Sequence, residues 1–367
     1  MHFENRKFNL GYLFAFLSAL LYAISTPLNK ILLEEITPLV LSGWTYFLSG
    51  LLLVPAFFKV QKVQAQVEVQ DIPKLLIIIL TGSILAPLFI LYGLFFSTAF
   101  QTSLFLNFEV IFTILLAALI FNERLGKRGD IGIILVIICL LLWSIDFQIV
   151  KVSLLLNPGV IFLLLGCFFW AIDNNITQTL GEKSAAQITS IKGIFGGLTS
   201  LLFSLLLGIP IILSPPNYIY VFFIGLFSFA FSIILFISAL KKIGTIKTSI
   251  LFSTSPFIAA LLSAFFLQET IGFAGYFIFF LTFIGVLLIT TDHHAHLHSH
   301  GKIVHTHSLR LEKDKHLQTI EPISEEHNAN NTQNKTVTHK HRKLTHTHEH
   351  SHNSQHRHKH KEDSTED

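Results

Sequence analysis

Charge is scarce in this chain. Of its 367 residues, 13% are charged, about half the share of an ordinary soluble domain. Cysteine occurs twice, as Cys139 and Cys167, each inside an apolar run, so neither a disulfide framework nor a thiolate metal site is spelled out. Histidine is missing from residue 3 to residue 292, which removes any zincin-type His-Glu pair from that region. No Walker lysine follows a glycine-rich loop and no Gly-x-Ser-x-Gly elbow occurs, so ATP-driven transport and membrane hydrolysis lack support. Scarce charge together with 51% hydrophobic residues and 36 Phe argues against a soluble enzyme.

What is present divides in two at Asp292. Residues 1–291 hold twelve acidic and fifteen basic residues between long apolar runs, while 292–367 hold eleven of each sign and eighteen of the nineteen His. The net charge of +3 therefore belongs to the first part. That part can bury itself only in lipid or in a very large core. The second has too few large apolar residues to offset its chain entropy and is expected to be a disordered, His-rich tail.

A bilayer core needs about 20 apolar residues per helix. Ten runs meet that need, near 9–29, 38–58, 74–95, 100–121, 129–146, 158–179, 187–208, 218–239, 249–267 and 272–291. The fold class expected is thus an all-α integral membrane protein of ten transmembrane helices. The first run follows Arg6 and Lys7 but ends at no small-x-small cleavage site, so it reads as an uncleaved span and not as a signal peptide. With a cytoplasmic N-terminus, one side carries Arg6, Lys7, Lys59, Lys62, Lys74, Arg124, Lys127, Arg128, Lys183, Lys241, Lys242 and Lys247. The other carries Lys30 and Lys151. The positive-inside rule then puts both termini in the cytoplasm of a multi-pass protein of the inner or plasma membrane. Pro38, Pro73, Pro158 and Pro216 stand where spans begin. Pro27, Pro87 and Pro256 fall within spans or at their edges and should break or kink them, freeing backbone groups to face a cavity.

The segment 97–126 lies on 243–272 without a gap. Thr102 meets Thr248, Ser103 meets Ser249, Glu123 meets Glu269 and Gly126 meets Gly272. With another offset, Leu20-Leu21-Tyr22-Ala23-Ile24 meets Phe168-Phe169-Trp170-Ala171-Ile172. The body reads as two five-span copies, 1–147 and 148–291, followed by the tail at 292–367. Five is odd, so the second copy is inverted relative to the first, the arrangement that lets two bundles rock about a midplane site.

Several stretches, in order and in register with the spans, resemble the drug/metabolite transporter superfamily, specifically its ten-span members with two EamA repeats. They are Phe169 to Asn175, Ile191-Lys192-Gly193, Ser232 to Phe236 with Ala239-Leu240 and Gly244, and Ser255-Pro256-Phe257-Ile258-Ala259-Ala260 leading to Gln268-Glu269. In the first repeat the equivalent stretch reads Asn107-Phe108-Glu109-Val110, where that family commonly has Glu-Pro. Val110 therefore removes the sequence signal for a kink in the fourth span. The resemblance implies a solute transporter, with export the commoner direction and substrates ranging from amino acids to drugs.

Ionisable residues inside lipid default to functional candidates. Glu109 falls near the middle of the fourth span. Asp173 and Lys192 stand ten residues before and nine after Lys183, so at ~1.5 Å per residue they reach similar depth on adjacent helices and should pair. Glu109 reads as a proton-coupling or substrate-contacting carboxylate, or alternatively as a neutral hydrogen-bonded acid. The pair reads as a polar element of the cavity, or as a packing device. Asn107, Asn174, Asn175, Gln178, Thr102 and Ser103 add hydrogen-bonding groups, and Trp170, Trp44 and Tyr92 could wall a pocket. Trp44 and Trp143 suit interfacial anchoring equally well. Glu123 and Glu269 suggest closure of helix hairpins. Gly193 and Gly197, spaced as GxxxG, suggest close helix packing.

The tail repeats His-x-His at His294, His296, His298 and His300, at His346, His348, His350 and His352, and at His356, His358 and His360. Neutral imidazoles on a flexible chain can gather around Zn, Ni or Co, with no rigid spacing to choose among them. No cofactor is required. Three functions stay open: a solute transporter with an accessory metal-binding tail, a divalent-metal exporter whose tail collects cargo, and a membrane-anchored metal buffer or sensor. The absence of His from the body weighs against the second. The expected partners are a small-molecule solute, the lipid bilayer, transition-metal ions and a second copy in a homodimer; nothing points to nucleic acid.

Overall fold

The computed structural model describes residues 10–55, 67–121, 126–143, 157–180 and 183–291, together with five short segments beyond 292. The described residues between Leu10 and Thr291, apart from Gly126, form one compact body, and the described segments beyond 292 belong to a second unit.

Among the described residues the body is a bundle of ten helical columns. They are α1 Leu10–Leu32, α2 Pro38–Leu52, α3 Val69–Phe96, α4 Ala99–Ile120, α5 Lys127–Trp143, α6 Pro158–Gln178, α7 Ala185–Leu206, α8 Pro215–Ile243, α9 Lys247–Phe266 and α10 Phe273–Thr290. Eight of these are long and apolar enough to cross a membrane; α2, with 15 residues, and α5, with 17 residues opening on Lys127, Arg128 and Asp130, are shorter. Proline lies in the first turn of α2, α6 and α8, where its missing N–H would have no intrahelical partner in any case.

Five of the described columns are interrupted. In α1 the regular helix stops at Ala23 and resumes at Ser25, because the ring of Pro27 crowds the carbonyl four residues earlier. The Ser25 hydroxyl then donates to Tyr22 O at 2.6 Å. In α9 the interruption at Ser253 and Thr254 precedes Pro256, and those two hydroxyls take up Ile250 O and Leu251 O at 2.7 and 2.6 Å. The α4 column breaks at Leu106 and Asn107 with no proline nearby, so Val110 does not keep it straight. Here Asn107 Nδ2 donates to Leu104 O at 2.9 Å, doing what a serine or threonine hydroxyl does in α9. In the repeat alignment Asn107 falls on Ser253. The α3 and α8 columns each contain a π-helical stretch, Ile79–Leu85 and Ile224–Phe231, of the kind that accumulates at functional sites.

The columns pack as α2 on α7, α5 on α10, α4 on α9, α1 on α8, α3 on α6, α4 on α6, α1 on α9, α2 on α8 and α3 on α7. Replacing every column by the one five places away maps this set onto itself. Small residues allow the closest approaches. A Cβ on Gly193 would meet Gly50 Cα at 2.7 Å, and one on Gly197 would meet Gly43 O at 2.6 Å, so the GxxxG spacing of α7 is filled by backbone from α2. Gly132 and Gly285 do the same between α5 and α10. One apolar core gathers Phe100, Leu104, Phe105, Val136, Leu163, Phe257 and Val286; a second gathers Leu33, Val40, Leu41, Leu94, Val221 and Ile224. The outer surface is apolar as well, with Leu119, Ile134, Phe265 and Phe277 exposed, as a lipid-covered bundle requires.

In the second unit the described segments have strand backbone. Leu297–His300 pairs antiparallel with Leu344–Thr347, placing His298 opposite His346, and Val304–Leu309 and Pro322–Glu326 flank Lys335–Lys340. Of the candidate metal ligands, His294, His296, His348, His350, His352, His356, His358 and His360 lie outside the described residues; His298, His300 and His346 are placed by backbone alone.

Candidate substrate and coupling site

Polar side chains from α4, α6 and α7 meet beside the interruption in α4. Glu109 begins the helix that resumes after the break in α4. Its Oε1 accepts from Asn174 Nδ2 of α6 at 2.8 Å, and the same amide reaches Thr113 Oγ1 at 3.4 Å. Asn174 is exposed and Glu109 half-buried, and the two touch from different columns. Trp170, one turn before Asn174, donates its indole N–H to Gly82 O at 3.2 Å, a carbonyl in the π stretch of α3, and also faces Tyr46 of α2. A π turn shifts the hydrogen-bond ladder, which leaves a carbonyl for a side chain from another column to use.

Lys192 of α7 and Asp173 of α6 pair as their depths indicated. Nζ lies 2.6 and 2.5 Å from the two carboxylate oxygens, and Thr177 Oγ1 donates to Oδ1 at 3.3 Å. The carboxylate rests against Gly82, where any Cβ would collide with it. The pair thus fills the space that the missing side chain leaves.

Not every candidate joins this cluster. Asn107 is fully buried at its own helix break. Asn175 meets the backbone of α4 instead, donating to Thr113 O at 3.0 Å and to Ala171 O of its own helix at 2.8 Å, so it ties α4 to α6. Thr102 and Ser103 are buried in α4 away from Glu109. Trp44 is also elsewhere: its indole donates to Ile211 O at 2.9 Å and its ring meets Tyr218 edge-on, anchoring the connection before α8. Tyr92 packs on Phe162. Glu269 does not close the α9–α10 hairpin. Its two oxygens instead accept from Ala99 N and Phe100 N at 2.7 and 2.9 Å, capping the start of α4. Gln268, at φ 50 in the left-handed region, turns the chain so that it can do this.

Aromatic groups that the polar-residue survey passed over complete the wall. Tyr22 lies just before the break in α1, in electrostatic reach of Glu109. Its ring meets Phe229 of α8 at 5.9 Å and Phe252 of α9 at 5.4 Å, and Tyr46 meets Phe229 at 5.5 Å. The repeat alignment held the signal for Tyr22, because it falls on Trp170.

Two successive stretches of this chain, 9–145 and 157–291, match the EamA-like transporter family. An uncharacterized transporter of Methanothermobacter thermautotrophicus is 30% identical over 274 residues, covering 71% of this chain and 80% of its own. The uncharacterized transporter YetK of Bacillus subtilis is 23% identical over 273 residues, covering 72% and 82%. One solved protein structure superimposes with a TM-score of 0.55 at 15% identity, over 76% of this chain and 96% of that one, a likeness of fold alone. The chain, with two family-matching stretches and apolar helical columns around a partly buried polar cluster, belongs to the EamA-like transporter family of multi-pass membrane proteins.

Proposed function

We propose that the protein is a secondary transporter that moves a small solute or metabolite across the inner or plasma membrane by alternating access, in proton-coupled export. In this reading the ten columns are ten spans in two inverted five-span repeats, with both termini cytoplasmic. The exchange-symmetric packing and the matched interruptions of α3 with α8 and of α4 with α9 support the repeat. The lysine and arginine distribution supports the orientation.

The observation that carries the proposal is the Glu109–Asn174 contact, a carboxylate from one repeat held by an exposed amide from the other beside three helix breaks. A carboxylate that gives up its amide partner can take either a proton or a donor group of the solute, and that competition couples the two. Trp170, Tyr22, Tyr46 and Phe229 offer ring faces to an apolar part of the solute. Lys192 and Asp173 neutralise each other at its edge. Transport in inverted vesicles, driven by an imposed pH gradient and screened with a metabolite pool from a deletion strain, tests this. Glu109→Gln should abolish pH-driven uptake; retention of both uptake and its pH dependence would end the coupling assignment.

The His tail is proposed to bind Zn, Ni or Co as an accessory. Growth in excess metal of cells carrying the full chain, a chain ending at Asp292, or Glu109→Gln separates this from metal export. Tolerance lost only on truncation indicates buffering, and tolerance lost with Glu109→Gln indicates that metal is the cargo.

A further inference from the structure

Polar ties join the two halves of the bundle at each of its ends. Where α3 begins and α6 ends, Lys183 Nζ lies 2.9 Å from Glu68 Oε1 and 3.1 Å from Asp71 Oδ2. Where α1 ends and α8 begins, Asn217 Nδ2 donates to Glu35 Oε2 at 2.7 Å. Exchange of the halves relates the two ties. Lys183 sits in the connection from α6 to α7 as Glu35 sits in that from α1 to α2, and Asn217 opens α8 as Glu68 and Asp71 open α3. Each tie therefore fastens the connection after the first column of one half to the start of the third column of the other. Their chemistry differs, an ammonium between two carboxylates at one end and a carboxamide on a carboxylate at the other.

We infer that these ties are the latches of two gates, released in turn as the central cleft opens first to one end and then to the other. The inference rests on the alternating-access reading above. The columns they restrain, α3 and α8, are the ones carrying π-helical stretches beside the cleft, so releasing a latch frees a column that borders the site. A latch must also break in every cycle. Glu68 is largely exposed while Lys183 and Asp71 are partly covered, and removing an ion pair of that kind shifts a two-state balance by roughly 1.5- to fivefold.

The test uses Asn174→Cys as a reporter in the full chain, labelled by a charged, membrane-impermeant methanethiosulfonate in right-side-out and inverted vesicles. The parent chain gives the background from Cys139 and Cys167, which are buried. Lys183→Gln should raise the labelling rate roughly 1.5- to fivefold from the Lys183 side and lower it from the other; Asn217→Ala and Glu35→Gln should do the reverse. Exchanging the charges with Lys183→Glu and Glu68→Lys together should restore part of the original sidedness, which a merely misfolded variant would not. Labelling from both sides that no latch variant changes, or that all change in one direction, overturns the latch inference alone. A reporter reached from only one side in every variant overturns the transport cleft itself, and the latches with it.

Discussion

Removing one member of the Asp173–Lys192 pair should damage the protein far more than removing both. The Asp173 residue is 6% exposed and the Lys192 side chain 15% exposed. In Lys192→Met the carboxylate would be left with the Thr177 hydroxyl, pressed against Gly82 and with little access to water. Leaving a buried charge without its partner costs about 3–5 kcal/mol, whereas replacing both members by uncharged groups of similar size is often close to neutral. For a helical body of this size about 1 kcal/mol moves Tm by roughly 1.5–2 °C, so Lys192→Met should lower the apparent Tm in detergent by roughly 5–10 °C. The double variant Asp173→Asn with Lys192→Met should recover most of that loss. Fluorescence-detected size-exclusion after heating reads all three on one scale. If the double variant falls by the sum of the singles, or Lys192→Met by less than about 2 °C, the pair is not a desolvated ion pair and the argument from burial is wrong. Transport by a folded double variant then decides between packing and a role in the cavity: full activity assigns the pair to packing.

The remaining predictions are simpler. Gly193→Ala should destabilise by about 1–3 kcal/mol, because the new methyl meets backbone of α2 that cannot rotate away; an unchanged melting profile would refute the close approach. Gln268→Gly should stabilise by about 1 kcal/mol by relieving the left-handed backbone before Glu269, which thermal scanning would show as a higher Tm. Glu269→Ala should cost about 1–2 kcal/mol because the buried Ala99 and Phe100 amides at the start of α4 would lose their carboxylate, and a normal melt would mean the cap contributes nothing. A chain ending at Asp292 should keep the melting profile of the body and lose bound Zn, Ni and Co in equilibrium dialysis.

Much of the body was legible because lipid imposes a coarse rule. A run of about 20 apolar residues has to become a helix there, and the expected runs fall within a few residues of the observed columns. The pairing of Asp173 with Lys192 could be read from depth alone, since an unpaired charge in that place is costly. The break in α4 could not: it depends on the Asn107 amide taking a carbonyl that no proline had displaced. Glu269 was misplaced for a similar reason, because its position beside a hairpin says nothing about the helix start that another column brings to it.

The sequence by itself determined the apolar columns and the family, both properties of composition and pattern along one chain. The tertiary structure decided which polar groups meet. Asn174 and Asn175 are neighbours in sequence, yet one faces Glu109 and the other faces the backbone of α4, because adjacent residues on a helix point about 100° apart. That angle separates the side chain of a candidate site from one that holds two helices together.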